Sequence, residues 1–167
     1  MDEEEGSTRR NLFNQEVYLA RSYFREGIEQ NMMTTEKALK IPRYNVLVVD
    51  DEEAVRKLVA TLMSRRGHQC FQATDGVEAL AKAKTTRFDV IITDIVMPKM
   101  DGISLIKELL MINPRLPIMV MTGFKNDFTP AVAKASGARD TIAKPFSLTE
   151  FYARFDKMMS DHGKGGE

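Results

Sequence analysis

Cysteine is almost missing from this 167-residue chain, with Cys70 the only one. A lone cysteine excludes an internal disulfide and fits a reducing compartment. Cys70 lies in the short apolar run "HQCFQAT" (68–74), which predicts a buried structural thiol and not a nucleophile. Histidine is nearly as scarce: His68 and His162 are isolated from each other, so neither a zinc site nor a phosphotransfer histidine is supported. Charge of one sign is lacking too, because the formal net charge is zero. Nothing at the level of the whole chain therefore points to nucleic acid or to a membrane surface as partner. No apolar run is long enough to span a bilayer. The opening "MDEEEG" lacks the basic and apolar regions of a signal peptide. These absences predict a cytoplasmic location.

The remaining composition is that of a globular protein, 43% hydrophobic and 29% charged. The length suggests one domain with an appendage. From about Asn45 to Ser160, short β-rich runs alternate with amphipathic stretches. "NVLVVD" (45–50) is nearly all apolar, as a strand buried on both faces should be. "EEAVRKLVATLMSRRG" (52–67) spaces Val55, Leu58, Val59 and Leu62 at helical intervals and ends at Gly67. "HQCFQAT" is the second strand, and the helix after Asp75-Gly76 carries Val77, Leu80, Ala81 and Lys84. "FDVIIT" (88–93) is the third strand, followed by the helix "GISLIKELLMI" (102–112), which Asn113-Pro114 stops. "PIMVMT" (117–122), a weaker helix over 127–137, and "DTIAK" (140–144) continue the pattern. A last helix over 147–160 opens with Ser147 and Glu150 in capping-box spacing. Five strand–helix units in alternation predict a parallel sheet covered by helices on both faces.

In such sheets the chemistry gathers at the carboxyl ends of the strands. Strand one ends in Asp50-Asp51, strand three in Asp94, strand four in Thr122-Gly123 and strand five in Lys144-Pro145. A single strand-end aspartate is usually a turn former or helix cap. Five such groups on four strand ends are harder to assign to turns alone. Three carboxylates sharing a pocket repel unless a cation intervenes. Oxygen ligands without histidine or cysteine favour a hard ion such as Mg²⁺.

"VLVVDDEEAVR", "DVIITDIVMPKMDG", "MTG" and "AKPF", in this order over roughly residues 44–160, resemble the receiver domain of two-component response regulators. The resemblance implies an α/β, flavodoxin-like, doubly wound five-stranded parallel sheet of order 2-1-3-4-5. It implies phosphoryl transfer from a sensor histidine kinase or a histidine phosphotransfer protein, through a self-catalysing switch that also hydrolyses its own phosphoryl group. Asp94 matches the phospho-acceptor, Asp51 the acid that binds the metal directly, and Asp50 the neighbour that holds it through water. The backbone carbonyl of Val96 matches a further metal ligand. Lys144 matches the lysine that pairs with Asp94 and then with the phosphoryl group, and Thr122 the hydroxyl that swings toward it. The family's cis peptide is expected at Lys144-Pro145. The family usually places Tyr or Phe three residues before this lysine, where Thr141 stands, so readout would pass through the loop and fourth helix, or through the N-terminal segment. Val96 and Phe124 occupy positions that tune dephosphorylation; both are apolar, which implies a long-lived phosphoryl group.

Residues 1–43 fall outside the resemblance. "MDEEEGS" is acidic and reads as disordered, and Thr8–Leu39 reads as helical, with Phe13, Val17, Ala20, Phe24, Ile28 and Met32 in a stripe. Packing on the receiver, a linker helix, and a dimerisation or partner-docking arm all remain open for this stripe. The expected organisation is thus an extension over 1–43, a receiver over 44–160 and a flexible tail over 161–167, with no output domain after it. The expectation is a stand-alone receiver that signals to an unidentified protein partner or forms a homodimer. The dimer would use the N-terminal helix or the face made by helix four, strand five and helix five. Rivals are a phosphorylation-independent interaction module, a fragment of a hybrid kinase, and a flavin carrier of the same fold. The acidic "DDEE" after strand one repels a flavin phosphate and disfavours the last.

Overall fold

The computed structural model describes residues 42–123 and 130–164. Arg43–Glu167 forms one compact unit, divided from Met1–Pro42. The expected N-terminal helix and Phe124 lie outside the described residues. The elements are β1 (Asn45–Val49), α1 (Glu53–Arg65), β2 (Gln69–Ala73), α2 (Gly76–Thr85), β3 (Val90–Asp94), α3 (Gly102–Ile112), β4 (Ile118–Thr122), α4 (Pro130–Ala135), β5 (Asp140–Ala143) and α5 (Leu148–Lys164). All strand pairs are parallel, and the sheet order is β2-β1-β3-β4-β5, as the resemblance implies.

Period-two alternation sends successive strand residues to opposite faces. Val46, Val48, Val90, Ile92, Met119, Met121 and Ile142 face one core, where α1 contributes Val55, Val59 and Met63 and α5 contributes Phe151 and Phe155. Leu47, Val49, Ile91, Ile118 and Val120 face the other, against Ala79 of α2, Leu105, Ile106 and Leu109 of α3, and Ala133 of α4. Both faces are covered, which is why the central strands read as unbroken apolar runs.

Helix ends follow local chemistry. α1 closes with Gly67 at φ +85, its N–H donating to the Ser64 carbonyl at 2.9 Å and the His68 N–H to Met63 at 3.2 Å. That double bond pattern needs a left-handed residue, which glycine supplies without steric cost. Asp75 and Asp101 cap α2 and α3, accepting from the Glu78 and Ser104 amides. Ser147 accepts from the Glu150 amide at 3.1 Å, while the Glu150 carboxylate meets Arg154 Nε at 3.3 Å.

Several boundaries differ from the sequence reading. β3 begins at Val90, two residues after the expected 88, and has Asp94 at its end, as expected. α4, described over Pro130–Ala135, ends two residues before the expected 137, and the expected residues 127–129 lie outside the described residues. α5 runs on to Lys164, so the tail expected from residue 161 is helical at first; Asp161 and His162 contain no breaker. Val77 is 48% exposed, and α2 buries Gly76 and Ala79 instead. Cys70 is half-buried, and burial pushes its thiol up.

Candidate functional site

The parity that builds the first core continues past the strands. Val46 and Val48 pair in register with Val90 and Ile92, so Asp50 and Asp94 extend that same row. Lys144 extends the row begun by Ile142 on β5. Three polar groups therefore arrive together at the carboxyl edge of the sheet, above the α1 and α5 face. Thr122 follows Met121, which is level with Asp94, and so has the opposite parity at the end of β4.

Asp50 is fully buried. Its Oδ1 accepts from the Glu52 amide at 2.9 Å, and its Oδ2 accepts from Lys144 Nζ at 2.7 Å. Its carbonyl accepts from Arg56 Nη1 at 2.7 Å. Lys144 Nζ also lies 3.6 Å from Asp94 Oδ2, so the lysine bridges both acids and sits nearer Asp50. The resemblance had implied Asp94 as its partner; the ion pair with Asp94 is present, and Asp50 takes the shorter contact. The Lys144 amide donates to the Thr122 carbonyl at 2.7 Å, and the Lys144–Pro145 peptide is cis, as expected.

Asp94 is 7% exposed. Burial pushes its carboxyl up to about 6; Lys144 opposes the rise, and Asp50 adds to it. Burial also raises Asp50 against the pull of Lys144. Burial works to lower Lys144, but Asp50 and Asp94 outweigh it, and the net shift is upward. Asp51 is exposed, and Asp50, Asp51 and Asp94 each offer a carboxylate oxygen, all within 4.8 Å of one another. Three carboxylates against one ammonium leave the pocket anionic. An oxygen-only donor set whose buried acid holds its proton too tightly fits a hard divalent cation.

The loop after Asp94 is shaped by Gly102. A Cβ there would stand 2.2 Å from the Asp94 carbonyl oxygen and 2.9 Å from the Ile95 Cα. The Gly102 amide donates to the Ile95 carbonyl at 2.7 Å, and Asp101 caps the helix it opens. The Asp-Gly pair thus divides two tasks, capping and close approach. Val96, in this loop, is 48% exposed. Thr141 is buried within β5.

The structure brings Asp50, Asp51, Asp94 and Lys144 together and puts Thr122 on the adjacent strand end. His68 lies at the amino end of β2, stacked on Tyr44 at 5.3 Å and tilted against Phe155 at 5.5 Å, away from this edge. Sequence reasoning gave Arg56 no role. Its signal is a basic residue in the first turns of the helix that follows a strand-end acid. No helix among the described residues is long and apolar enough to cross a membrane.

Comparison with known proteins agrees with this geometry. A family model described as response regulator receiver domain matches residues 46–156. The alkaline phosphatase synthesis transcriptional regulatory protein PhoP of Bacillus subtilis is 39% identical over 109 residues, 65% of this chain and 45% of that protein. Response regulator MprA of Mycobacterium sp. (strain KMS) is 35% identical over 114 residues, 68% of this chain and 50% of that one. The chain thus spans about half the length of these curated relatives. Among solved structures, NtrX from Brucella abortus superposes with a TM-score of 0.70 at 30% identity, covering 74% of this chain and 29% of its own. Vibrio cholerae chemotaxis protein CheY4 gives 0.65 at 34% identity, covering 70% of this chain and 99% of its own. With the family model covering well over half of its length, this chain belongs to the response regulator receiver domain family.

Proposed function

We propose that Asp94 accepts a phosphoryl group from the phosphohistidine of a sensor kinase or a histidine phosphotransfer protein. The single observation that carries this reading is a buried strand-end carboxylate, Asp94, set between Lys144 and the acids Asp50 and Asp51. An Asp94 carboxylate oxygen forms the new bond to phosphorus as the phosphorus–nitrogen bond breaks, and the electron pair returns to the imidazole. Mg²⁺ held by Asp51, Asp94, the Val96 carbonyl and, through water, Asp50 would offset charge on the phosphoryl oxygens. Lys144, already between Asp50 and Asp94, supplies an ammonium for the same oxygens. Thr122 supplies a hydroxyl donor from the neighbouring strand end. Arg56 and the Glu52 amide keep Asp50 in place through its carbonyl and Oδ1.

The output is a protein contact made or broken on phosphorylation. A groove lined by Lys134, Arg139, Asp140, Glu150, Arg154 and Lys157 runs along α4, β5 and α5, and its mixed charge suits a second copy or a protein partner. Transcriptional regulation belongs to the name of the Bacillus relative, of which this chain matches less than half; our reading stops at the receiver. A cytoplasmic setting, without membrane or nucleic-acid contact by this domain, goes with it.

The experiment is intact mass after treatment with acetyl phosphate and Mg²⁺, on wild type and Asp94→Asn, with size exclusion alongside. One phosphoryl adduct on wild type and none on Asp94→Asn is expected. A coincident change in elution would locate the output in self-association. Neither Mg²⁺ binding nor an adduct, from this donor or from a phosphorylated histidine phosphotransfer domain, would overturn the reading.

A further inference from the structure

The loop between β3 and α3, residues 95–101, holds a contact that the strand-end groups do not explain. Among the described residues, Lys99 is the one non-glycine with positive φ, at +65. The Met100 amide donates to the Pro98 carbonyl at 2.7 Å, closing a three-residue γ-turn centred on Lys99. A γ-turn with positive φ at its centre is the strained form, and a side chain makes it worse. Glycine would relieve that strain, yet the chain places a lysine there. Its Nζ lies 2.5 Å from Asp75 Oδ2, a carboxylate with 2% of its side chain exposed.

Asp75 divides its oxygens between two tasks. Oδ1 caps α2 through the Glu78 amide at 2.9 Å, leaving Oδ2 for Lys99 and, at 3.4 Å, the Thr74 hydroxyl. Beside this pair, the Gly76 amide donates to the Met100 carbonyl at 3.3 Å. A Cβ on Gly76 would stand 2.7 Å from that carbonyl oxygen, so the loop backbone rests directly on the start of α2. At its other end the loop is tied by the Gly102 amide to the Ile95 carbonyl at 2.7 Å. Val96 lies between these two anchors.

We propose that the Lys99–Asp75 ion pair is a latch that holds the loop in its strained turn, so that the Val96 carbonyl is presented to the cation and Mg²⁺ affinity is set. The latch rests on the receiver reading given above. Lys99 touches none of the reacting atoms; it is a positioning residue, acting through the loop as the outer partners of metal ligands do.

Charge and position predict opposite signs here. Lys99 is a cation near an anionic pocket, so by charge alone Lys99→Met would tighten Mg²⁺ and Lys99→Glu would tighten it further. The latch requires the reverse. On the full chain without phosphoryl donor, Mg²⁺ titration should show Lys99→Met weakened about tenfold. Lys99→Glu should be weaker still, and Lys99→Arg near wild type. At saturating Mg²⁺, the Lys99→Met adduct formed with acetyl phosphate should return to the wild-type level. Hydrogen exchange at the Met100 and Gly102 amides should quicken, with β3 amides unchanged. Should Lys99→Met lose stability throughout, Asp75→Asn reads the loop alone, since it keeps a cap acceptor but loses the charge; faster exchange at Met100 is expected there too. Mg²⁺ binding by Lys99→Met as tight as wild type, or tighter, would overturn the latch while wild type still binds Mg²⁺ and takes the phosphoryl group. Wild type failing at both would overturn the receiver reading, and the latch with it.

Discussion

Lys144 Nζ sits 2.7 Å from Asp50 Oδ2, a carboxylate with no solvent exposure, while the lysine itself is 11% exposed. Two charges taken out of water in this way depend on each other, because each is the other's compensation. Lys144→Met should therefore cost about 3–5 kcal/mol at neutral pH without Mg²⁺, since Asp50 stays buried with its charge unpaired. The double variant Asp50→Asn/Lys144→Met should recover part of that loss, as the fully buried charge is gone and only Asp94, 3.6 Å from Nζ in the wild type, is left without the ammonium. Urea denaturation at pH 7 checks both. A loss under about 1 kcal/mol, the range of exposed pairs, would mean that Asp50 is reached by water after all.

Asp94 carries the clearest pH signature, because burial, with a smaller push from Asp50, holds its carboxyl at about 6. In the unfolded chain it should titrate near the ordinary value of about 3.9. Between about pH 4 and 6 the folded state then binds more protons than the unfolded state, so the Asp94 contribution to stability falls as pH rises through that window. Above it the full cost of a buried anion is present. Asp94→Asn should remove this slope and raise the unfolding free energy at pH 7, without Mg²⁺, by about 1–3 kcal/mol. Cation binding runs the other way. It needs the deprotonated acid, so apparent Mg²⁺ affinity should climb with pH up to about 6, by as much as about tenfold per unit, and flatten beyond. Unfolding curves and Mg²⁺ titrations from pH 4 to 8 on both proteins test the two slopes. A wild-type slope that Asp94→Asn leaves unchanged would assign the titration to another group.

The parts legible in the sequence are those fixed by local period. "NVLVV" shows no alternation because α1 and α2 cover opposite faces of β1, and the strand-end acids stand out because each stops such a run. From there the row Val46, Val48, Asp50 and its partner Val90, Ile92, Asp94 follow from parity and register. Contacts that depend on packing were not legible. Lys99 and Asp75 are 24 residues apart in the chain and meet only because the loop folds onto α2. The nearer approach of Lys144 to Asp50, 2.7 Å against 3.6 Å to Asp94, is a matter of three-dimensional placement, which no motif encodes. Val77 sits at a helical interval yet faces outward, because Gly76 and Ala79 are the residues pressed inward by α3 and its loop.

Two glycines separate a demand of the site from a demand of the backbone. Gly67 has nothing within 4 Å of an added Cβ, but its φ is +85. Gly67→Ala should cost about 1 kcal/mol through backbone strain alone. It should leave Mg²⁺ binding and phosphoryl uptake at wild-type levels, because it lies at the amino end of the sheet, beyond α1. Gly102 has the opposite profile. Its φ is not positive, but an added Cβ meets the Asp94 carbonyl at 2.2 Å and the Ile95 Cα at 2.9 Å, both backbone atoms that no rotamer change can clear. Gly102→Ala must push α3 away or displace the backbone of Asp94. Overpacking of this kind should cost about 3 kcal/mol. If the Asp94 backbone is what moves, adduct formation with acetyl phosphate and Mg²⁺ should fall far more than the stability loss accounts for. Thermal unfolding and intact mass on the two variants, measured together, decide this. Equal losses of adduct in Gly67→Ala and Gly102→Ala would mean that the close approach behind Asp94 has no bearing on the position of its carboxylate.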